Sequence, residues 1–338
     1  LAGAGAQIQL TAQLRGTDGA GPTHPPLRAD LQARVAPWAG QPLLQAAAEV
    51  QALDLAALWP QAPATQLSGT AALEPAEANA PGWQVQAALR NALPGPWNLQ
   101  RLPVNTLQAR AAFDGTTWTV SESLARVGSG SVALQGAYTP ATRALQGQAE
   151  VRALNPAALH TLLDAAPVNG TASAESRDAA KGGAVRFSAD LRAAGRPAPT
   201  AAAKAGAPAP LRLDQLTVQG QWQGDRIDIA RLQLDALQAQ VRAQALRISL
   251  AGPAVQGALQ ATLPGASAQF DGQLAPQRGN GTLDLRMTDT QRAQRWLQGL
   301  PGVPAALAGW SLDGNATLAA TWRGGWHDLQ RQLQAAGL

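Results

Sequence analysis

Three histidines, His24, His160 and His327, are the imidazoles this chain could use for proton transfer or metal ligation. They stand far apart in sequence, and none has a second ligand at the spacing a metal site requires, such as two histidines four apart on a helix. His24 falls in a Pro-rich stretch and His160 in a short helical one, so both read as surface residues. With Cys 0 there is no thiol nucleophile, zinc ribbon or disulfide to consider. Gly128-Ser129-Gly130 has the small residues of a phosphate loop but lacks the Lys-Ser/Thr that would hold phosphate and metal. It lies between two β-type segments and reads as a turn. Asp228 and Asp235 fall on the polar sides of alternating segments, whereas paired catalytic acids need pocketed positions. No Gly-x-Ser-x-Gly elbow is present. The chemistry-bearing residues therefore predict no enzyme, no metal and no cofactor.

What must be positioned is instead apolar. Hydrophobic residues make up 46% of the chain, yet aromatics only 4%, and much of the rest is alanine. Ordinary cores fill their volume with larger side chains at crystal-like density. So much small apolar surface implies thin layers or room for something else. Charged residues are 14% and the net charge +4, with arginines scattered singly among Gln and Ala. Nucleic-acid binders concentrate them on one face or tail, so no nucleic-acid partner is expected. No window approaches the ~18 consecutive apolar residues of a membrane-spanning helix. The chain begins at Leu1 without Met and reads as a segment of a longer protein, with any anchor expected upstream.

The dominant pattern has period two, the signature of strands with one buried face. Ala6, Ile8, Leu10, Ala12 and Leu14 alternate with Gln7, Gln9, Thr11 and Gln13; Leu27 to Val35 and Leu145 to Leu154 repeat the pattern. Further segments follow at 107–113, 132–138, 184–192, 211–222, 227–236, 237–250, 257–263, 267–274, 281–287 and 310–322, on the order of fifteen strands in all. Asp114-Gly115 and Asn280-Gly281 are strong hairpin signals; Asp271-Gly272 and Asp313-Gly314 are weaker and predict a bulge or bend. Capped helices are predicted at Asp54 for 55–58, at Asn155-Pro156 to about Asp164, at Asp289 or Thr290 through Gln298, and near His327.

Segment 49–58 (EVQALDLAAL) returns at 150–159 (EVRALNPAAL), an offset of 101 residues, and Gly69-Thr70-Ala71 maps onto Gly170-Thr171-Ala172. A second match has offset 109: Leu107, Ala109, Phe113, Gly115 and Val120 fall on Leu216, Val218, Trp222, Gly224 and Ile229. The approximate units are 1–72, 73–173 and 211–322, with 193–210 an Ala/Pro-rich insert expected to be disordered. One-sided strands in a long repeat predict an all-β fold, an elongated repetitive array of antiparallel type with a few short capping helices.

The apolar faces need cover, and the predicted helices are too short to give it. The inward positions are often small, among them Ala239, Ala243 and Ala245. A curved sheet so lined leaves a groove. Its candidate lining is Ala6, Ile8, Leu10, Ala12, Ala29, Leu31, Ala33, Leu145, Ala149, Val151, Ala239, Val241, Ala243, Leu283 and Leu285. Burying a methylene is worth about 0.8 kcal/mol, so a sixteen-carbon chain gains on the order of 10 kcal/mol. The ten tryptophans fall mostly at strand ends, beside turns and helices.

EVQALDLAALWPQAPATQLSGTAAL (49–73), NALPGPWNLQRLPV (91–104) and DGTTWTV (114–120) resemble the TamB group of AsmA-like proteins, most specifically through Leu93-Pro94-Gly95-Pro96-Trp97. The resemblance implies a periplasmic body anchored in the inner membrane of a Gram-negative bacterium, rolled into a β-taco with a hydrophobic groove. It implies transfer of phospholipid between inner and outer membranes and a link to assembly of outer-membrane proteins such as autotransporters. The implied partners are phospholipid acyl chains and, through parts outside this segment, TamA, an Omp85-type barrel. Two alternatives stay open: a β-strand scaffold for outer-membrane protein assembly without lipid carriage, and a secreted β-solenoid adhesin.

Overall fold

The computed structural model describes residues 7–16, 26–38, 42–59, 61–76, 82–177, 182–195, 211–298 and 313–325. Ala6, His24, His327 with its predicted helix, and residues 196–210 of the Ala/Pro-rich insert lie outside them. The chain divides into two compact units, residues 1–161 and 162–338.

The first unit is a nine-stranded meander: β1 Ile8–Arg15, β2 Arg28–Val35, β3 Leu43–Leu53, β4 Leu67–Pro75, β5 Trp83–Asn91, β6 Thr106–Phe113, β7 Trp118–Val127, β8 Gly130–Thr139 and β9 Ala144–Leu154. Each strand pairs antiparallel with the next in sequence. Helix α1 (Leu55–Leu58) caps the β3 end, and short 3-10 turns occupy Trp97–Leu99 and Pro156–Ala158. The second unit repeats the plan with β10 Val168–Ser176, β11 Val185–Ala193, β12 Leu213–Gln223, β13 Arg226–Ala236, β14 Ala239–Ser249, β15 Ala254–Leu263, β16 Ala266–Leu274, β17 Asn280–Met287 and β18 Ala316–Arg323, and helix α2 Thr290–Gln298 between the last two. These too pair in sequence order and antiparallel. Sequential antiparallel neighbours make a meander, whereas a solenoid stacks successive coils. The fold is thus all-β and repetitive, but each unit is an open, uncurled sheet and not the curved, rolled one expected.

The repeat is visible in the backbone. Ala52 and Ala153, 101 residues apart, both adopt the left-handed region that L-residues rarely enter (φ 58° and 47°). Two residues on, Asp54 Oδ1 accepts from Ala56 N at 3.1 Å and Asn155 Oδ1 from Ala157 N at 3.0 Å, the hydrogen bond of a helix N-cap. The offset of 109 is equally literal. The β6–β7 ladder slips between Arg110↔Glu122 and Ala111↔Val120, and the β12–β13 ladder between Gln219↔Arg231 and Gly220↔Ile229. Each slip is a bulge, an extra residue on one strand that re-aims the side chains beyond it.

Three local expectations are corrected. The Asn155-Pro156 helix stops at Ala158 instead of reaching Asp164, because the following segment joins Leu211: Leu211 N donates to Leu162 O at 2.7 Å and Asp164 N to Leu211 O at 2.9 Å. Asn280-Gly281 opens β17 rather than a turn, since the Trp322 ring lies where a Cβ at 281 would go. Ala245 is not an inward position: it sits in a bulge of β14 with φ 53°, which hands its place to Leu246. Asp114-Gly115 does form the β6–β7 turn, with Asp114 Oδ1 accepting from Thr116 N and Thr117 N, each at 2.8 Å.

Buried apolar residues cluster where strand ends meet capping segments. Ala52, Val127 and Leu154 lie at that end of the first unit; in the second, Ala239 and Ala266 lie beside α2, which contributes Ala293. There Trp296 Nε1 donates to Leu237 O at 2.8 Å. Along the strands the faces are far more open.

Candidate functional site: an uncovered apolar sheet face

Cross-strand register converts the one-sided strands into continuous rows. In the first unit one row runs Leu10–Ala33–Ala46–Leu73–Val85–Ala111, and the next runs Ala12–Leu31–Ala48–Ala71–Ala87–Ala109. The third runs Leu14–Ala29–Val50–Gly69–Leu89–Leu107 and, through Ala125 and Val132, reaches Val151. All belong to one face. In the second unit Ala172–Ala189–Val218–Leu232–Ala243–Leu259–Phe270–Leu283–Ala320 form such a row, with Leu191–Leu216–Leu234–Val241–Ala261–Ala268–Leu285–Leu318 beside it.

The candidate residues fall on these faces, each within its own unit. Ile8, Leu10, Ala12, Ala29, Leu31, Ala33, Leu145, Ala149 and Val151 share the apolar face of the first; Ala239, Val241, Ala243, Leu283 and Leu285 share that of the second. They are not equally available. Leu10 is 51% exposed, whereas Ala29, Val151, Ala239 and Ala243 are buried. The accessible part centres on β1–β5, where a trough of about 500 Å³ is lined by Leu10, Ala12, Leu31, Ala33, Ala46, Ala48, Ala71, Leu73 and Val85. Five strands at ~4.8 Å spacing make it about 19 Å long, enough for an acyl chain that spans half of the ~30 Å hydrocarbon core of a bilayer.

Ala46, Ala48, Ala71, Leu73 and Val85 escaped the sequence reading. In β3 and β4 alanines occupy both faces, Ala47 and Ala72 pointing opposite to Ala46 and Ala71, so the alternation that marks a face is missing. There only the register of the neighbouring strands assigns them, whereas Val85 lies in the clean Trp83–Val85–Ala87–Leu89 alternation of β5.

Aromatic side chains bound this face at the strand ends away from α1. Trp83, Phe113 and Trp118 stack in succession across β5, β6 and β7, with centroids 5.7 and 4.9 Å apart, and Trp83 Nε1 donates to Leu43 O at 3.3 Å. In the second unit Trp322 stacks on Phe270 at 5.4 Å and donates to Gln273 O at 3.3 Å. No family model, curated protein or solved structure matches the chain.

The opposite faces carry the charges. A concavity of about 710 Å³ in the second unit contains Glu175, Arg186, Arg226, Asp228 and Arg247. Its charges are satisfied among themselves: Arg186 pairs with Glu175 at 2.9 Å, and Asp228 with Arg226 at 3.0 Å and Arg247 at 2.9 Å. The Asp228 carboxyl is held below its ordinary range chiefly by the Arg247 hydrogen bond; desolvation opposes this, and Gln221 and Arg226 add smaller lowering effects. Glu150 and Arg152 likewise form a pair at 2.8 Å. Among the described residues no three His, Asp or Glu side chains gather as a metal cluster, and no helix is long and apolar enough to cross a membrane.

Proposed function

We propose that this chain carries phospholipid acyl chains on its uncovered apolar face, as a segment of a TamB/AsmA-like periplasmic protein moving phospholipid between the inner and outer membranes. The observation that carries the reading is the trough: a continuous, alanine-floored apolar surface that no other layer among the described residues of the first unit covers. A trough open on one side takes roughly half of a chain's surface out of water, which for sixteen carbons is about 5 kcal/mol. That holds a chain without polar contacts. A floor of small side chains repeated from strand to strand also lets it shift lengthwise at little change in energy. The role is binding and conveyance rather than catalysis. An inner-membrane anchor and an Omp85-type barrel such as TamA would be engaged by other parts of the longer protein, which would also provide the link to autotransporter assembly.

The test places a photoreactive residue at Ala71 or Val85 and, as a control on the opposite face of the same strand, at Gln86. Lipid crosslinked from cell membranes should be several-fold higher at Ala71 and Val85. Equal yields at Gln86 would remove the trough from the mechanism. Crosslinks to outer-membrane proteins along an edge strand, with none to lipid, would favour the assembly-scaffold alternative.

A further inference from the structure

The capped end of the first unit is a laced rim. Ala64 N donates to Gln100 O at 2.8 Å, and Ala64 bridges Arg101, tying the α1 connection to the β5–β6 loop. That loop is tied in turn to the segment after β9: Trp97 N donates to Leu159 O at 3.0 Å, and Asn98 Nδ2 to Thr161 Oγ1 at 2.6 Å. Such cross-bracing holds the loop crests in place, and the crests are apolar. Leu58, Trp59, Trp97 and Leu99 are each between 52 and 60% exposed.

Trp83, Trp222, Trp296 and Trp322 donate Nε1–H to backbone carbonyls, whereas Trp59 and Trp97, like Trp38 and Trp118, make no such bond among the described residues. Below the crests runs a cationic row. Arg90 pairs across to Thr106, Thr106 to Arg126, Arg126 to Ser131 and Ser131 to Arg152, so the arginines recur every second strand, about 10 Å apart. Arg101 stands on the loop itself, its stem against Gly95. Arg152 is engaged by Glu150, but Arg90, Arg101 and Arg126 have no carboxylate partner among the described residues. Asp54, which precedes α1, is committed to capping, accepting from Ala56 N and Thr65 N.

Exposed Trp and Leu on braced crests, backed by unpaired arginines, match one chemistry. Indoles favour the headgroup region of a bilayer, where the ring meets acyl chain and the N–H meets polar groups. Arginines add about a kilocalorie each, or roughly fivefold, on an anionic surface. We infer that this rim is a docking surface for an anionic phospholipid bilayer, with Trp59, Trp97 and Leu99 entering the interface and Arg90, Arg101 and Arg126 meeting lipid phosphates. Docking stands independently of acyl-chain carriage in the trough, because the two use different residues.

Flotation of the 338-residue chain with vesicles of phosphatidylethanolamine and phosphatidylglycerol tests it. Binding should exceed that to neutral phosphatidylcholine vesicles and fall as salt rises. It should drop at least tenfold in Trp59→Ala/Trp97→Ala and about fivefold per arginine in Arg90→Gln and Arg126→Gln. Trp38→Ala removes a more exposed indole, at the opposite strand ends, and should leave binding unchanged. Salt-insensitive binding of the unaltered chain, or an equal loss in Trp38→Ala, would overturn the proposal. So would absence of vesicle binding, including the case where the rim instead drives concentration-dependent self-association. Crosslinking at Ala71 is read out separately, so either reading can fail alone.

Discussion

Ala52 and Ala153 hold the same left-handed backbone 101 residues apart, each one residue before a leucine and two before a capping side chain. The αL conformation marks where the strand is broken by a bulge: the β3–β4 register slips between Val50 and Leu53, and Ala52 N donates to Ser68 Oγ at 3.0 Å. Alanine tolerates the conformation at some cost, and a β-branched residue does not. Ala52→Val should destabilise by about 1 kcal/mol or more. Ala52→Gly should stay within about 0.5 kcal/mol, since relief of strain is offset by the freer unfolded chain. Urea denaturation of the pair separates a conformational cause from a packing one, because a packing requirement would penalise both.

Asn91 organises the loop that bears the rim. It is buried, accepts from Gln66 N at 3.1 Å and Leu93 N at 3.0 Å, and donates to Leu102 O at 3.2 Å. Asn91→Ala takes the acceptor from Gln66 N and Leu93 N, while Leu102 O keeps Gly95 N at 3.1 Å, and should cost about 2 kcal/mol. Hydrogen exchange should localise the loss to residues 92–105; uniform exchange across the sheet would argue against a local role.

Gly281 is demanded by contact. A Cβ there would sit 2.5 Å from the Trp322 ring and from Asp271 O. Gly281→Ala should lift the indole off Phe270 and lower stability by about 1–3 kcal/mol. A red-shifted tryptophan emission accompanies the displacement if the ring moves toward solvent, and an unchanged spectrum would mean the backbone gives way instead.

The Asp228 carboxyl, lowered first by its Arg247 hydrogen bond, has a defined pH signature. A group whose folded pKa is depressed contributes stability above its ordinary value, here 3.8, and loses it as pH falls through the lower folded value. Asp228→Asn should therefore be less stable than the parent at pH 7, with the difference narrowing well below pH 3.8. A difference constant from pH 7 to pH 2 would assign the effect to shape rather than charge.

Where apolar and polar residues alternated cleanly, strands were legible: β1, β2, β9, β13 and β17 all lie within a residue or two of their expected bounds. One missed strand, β5, alternates cleanly from Trp83 to Leu89 and was overlooked; others fail for physical reasons. In β7 the bulge at Ser121 puts the alternation out of phase midway, and in β3 and β4 alanines on both faces erase it. For the same reason the part of the trough on β3 and β4 was unread, although its part at Leu10, Ala12, Leu31 and Ala33 was predicted. Asn280-Gly281 misled because a glycine needed for the approach of a ring is indistinguishable, within four residues, from one needed for a turn. The rim was invisible to local pattern, since it assembles loops that only the meander brings side by side.

The sequential pairing of strands has a consequence for how such a chain can change length. Because no ladder among the described residues of either unit skips a neighbour, excising one hairpin, for example β15 with β16, would return β14 beside β17 with both strand direction and face parity intact. Inserting a hairpin would do the reverse, widening that unit's sheet by about 10 Å without rerouting any other connection. Size is thus a freely adjustable quantity in this architecture, set by the number of duplicated hairpins rather than by the closure of a core.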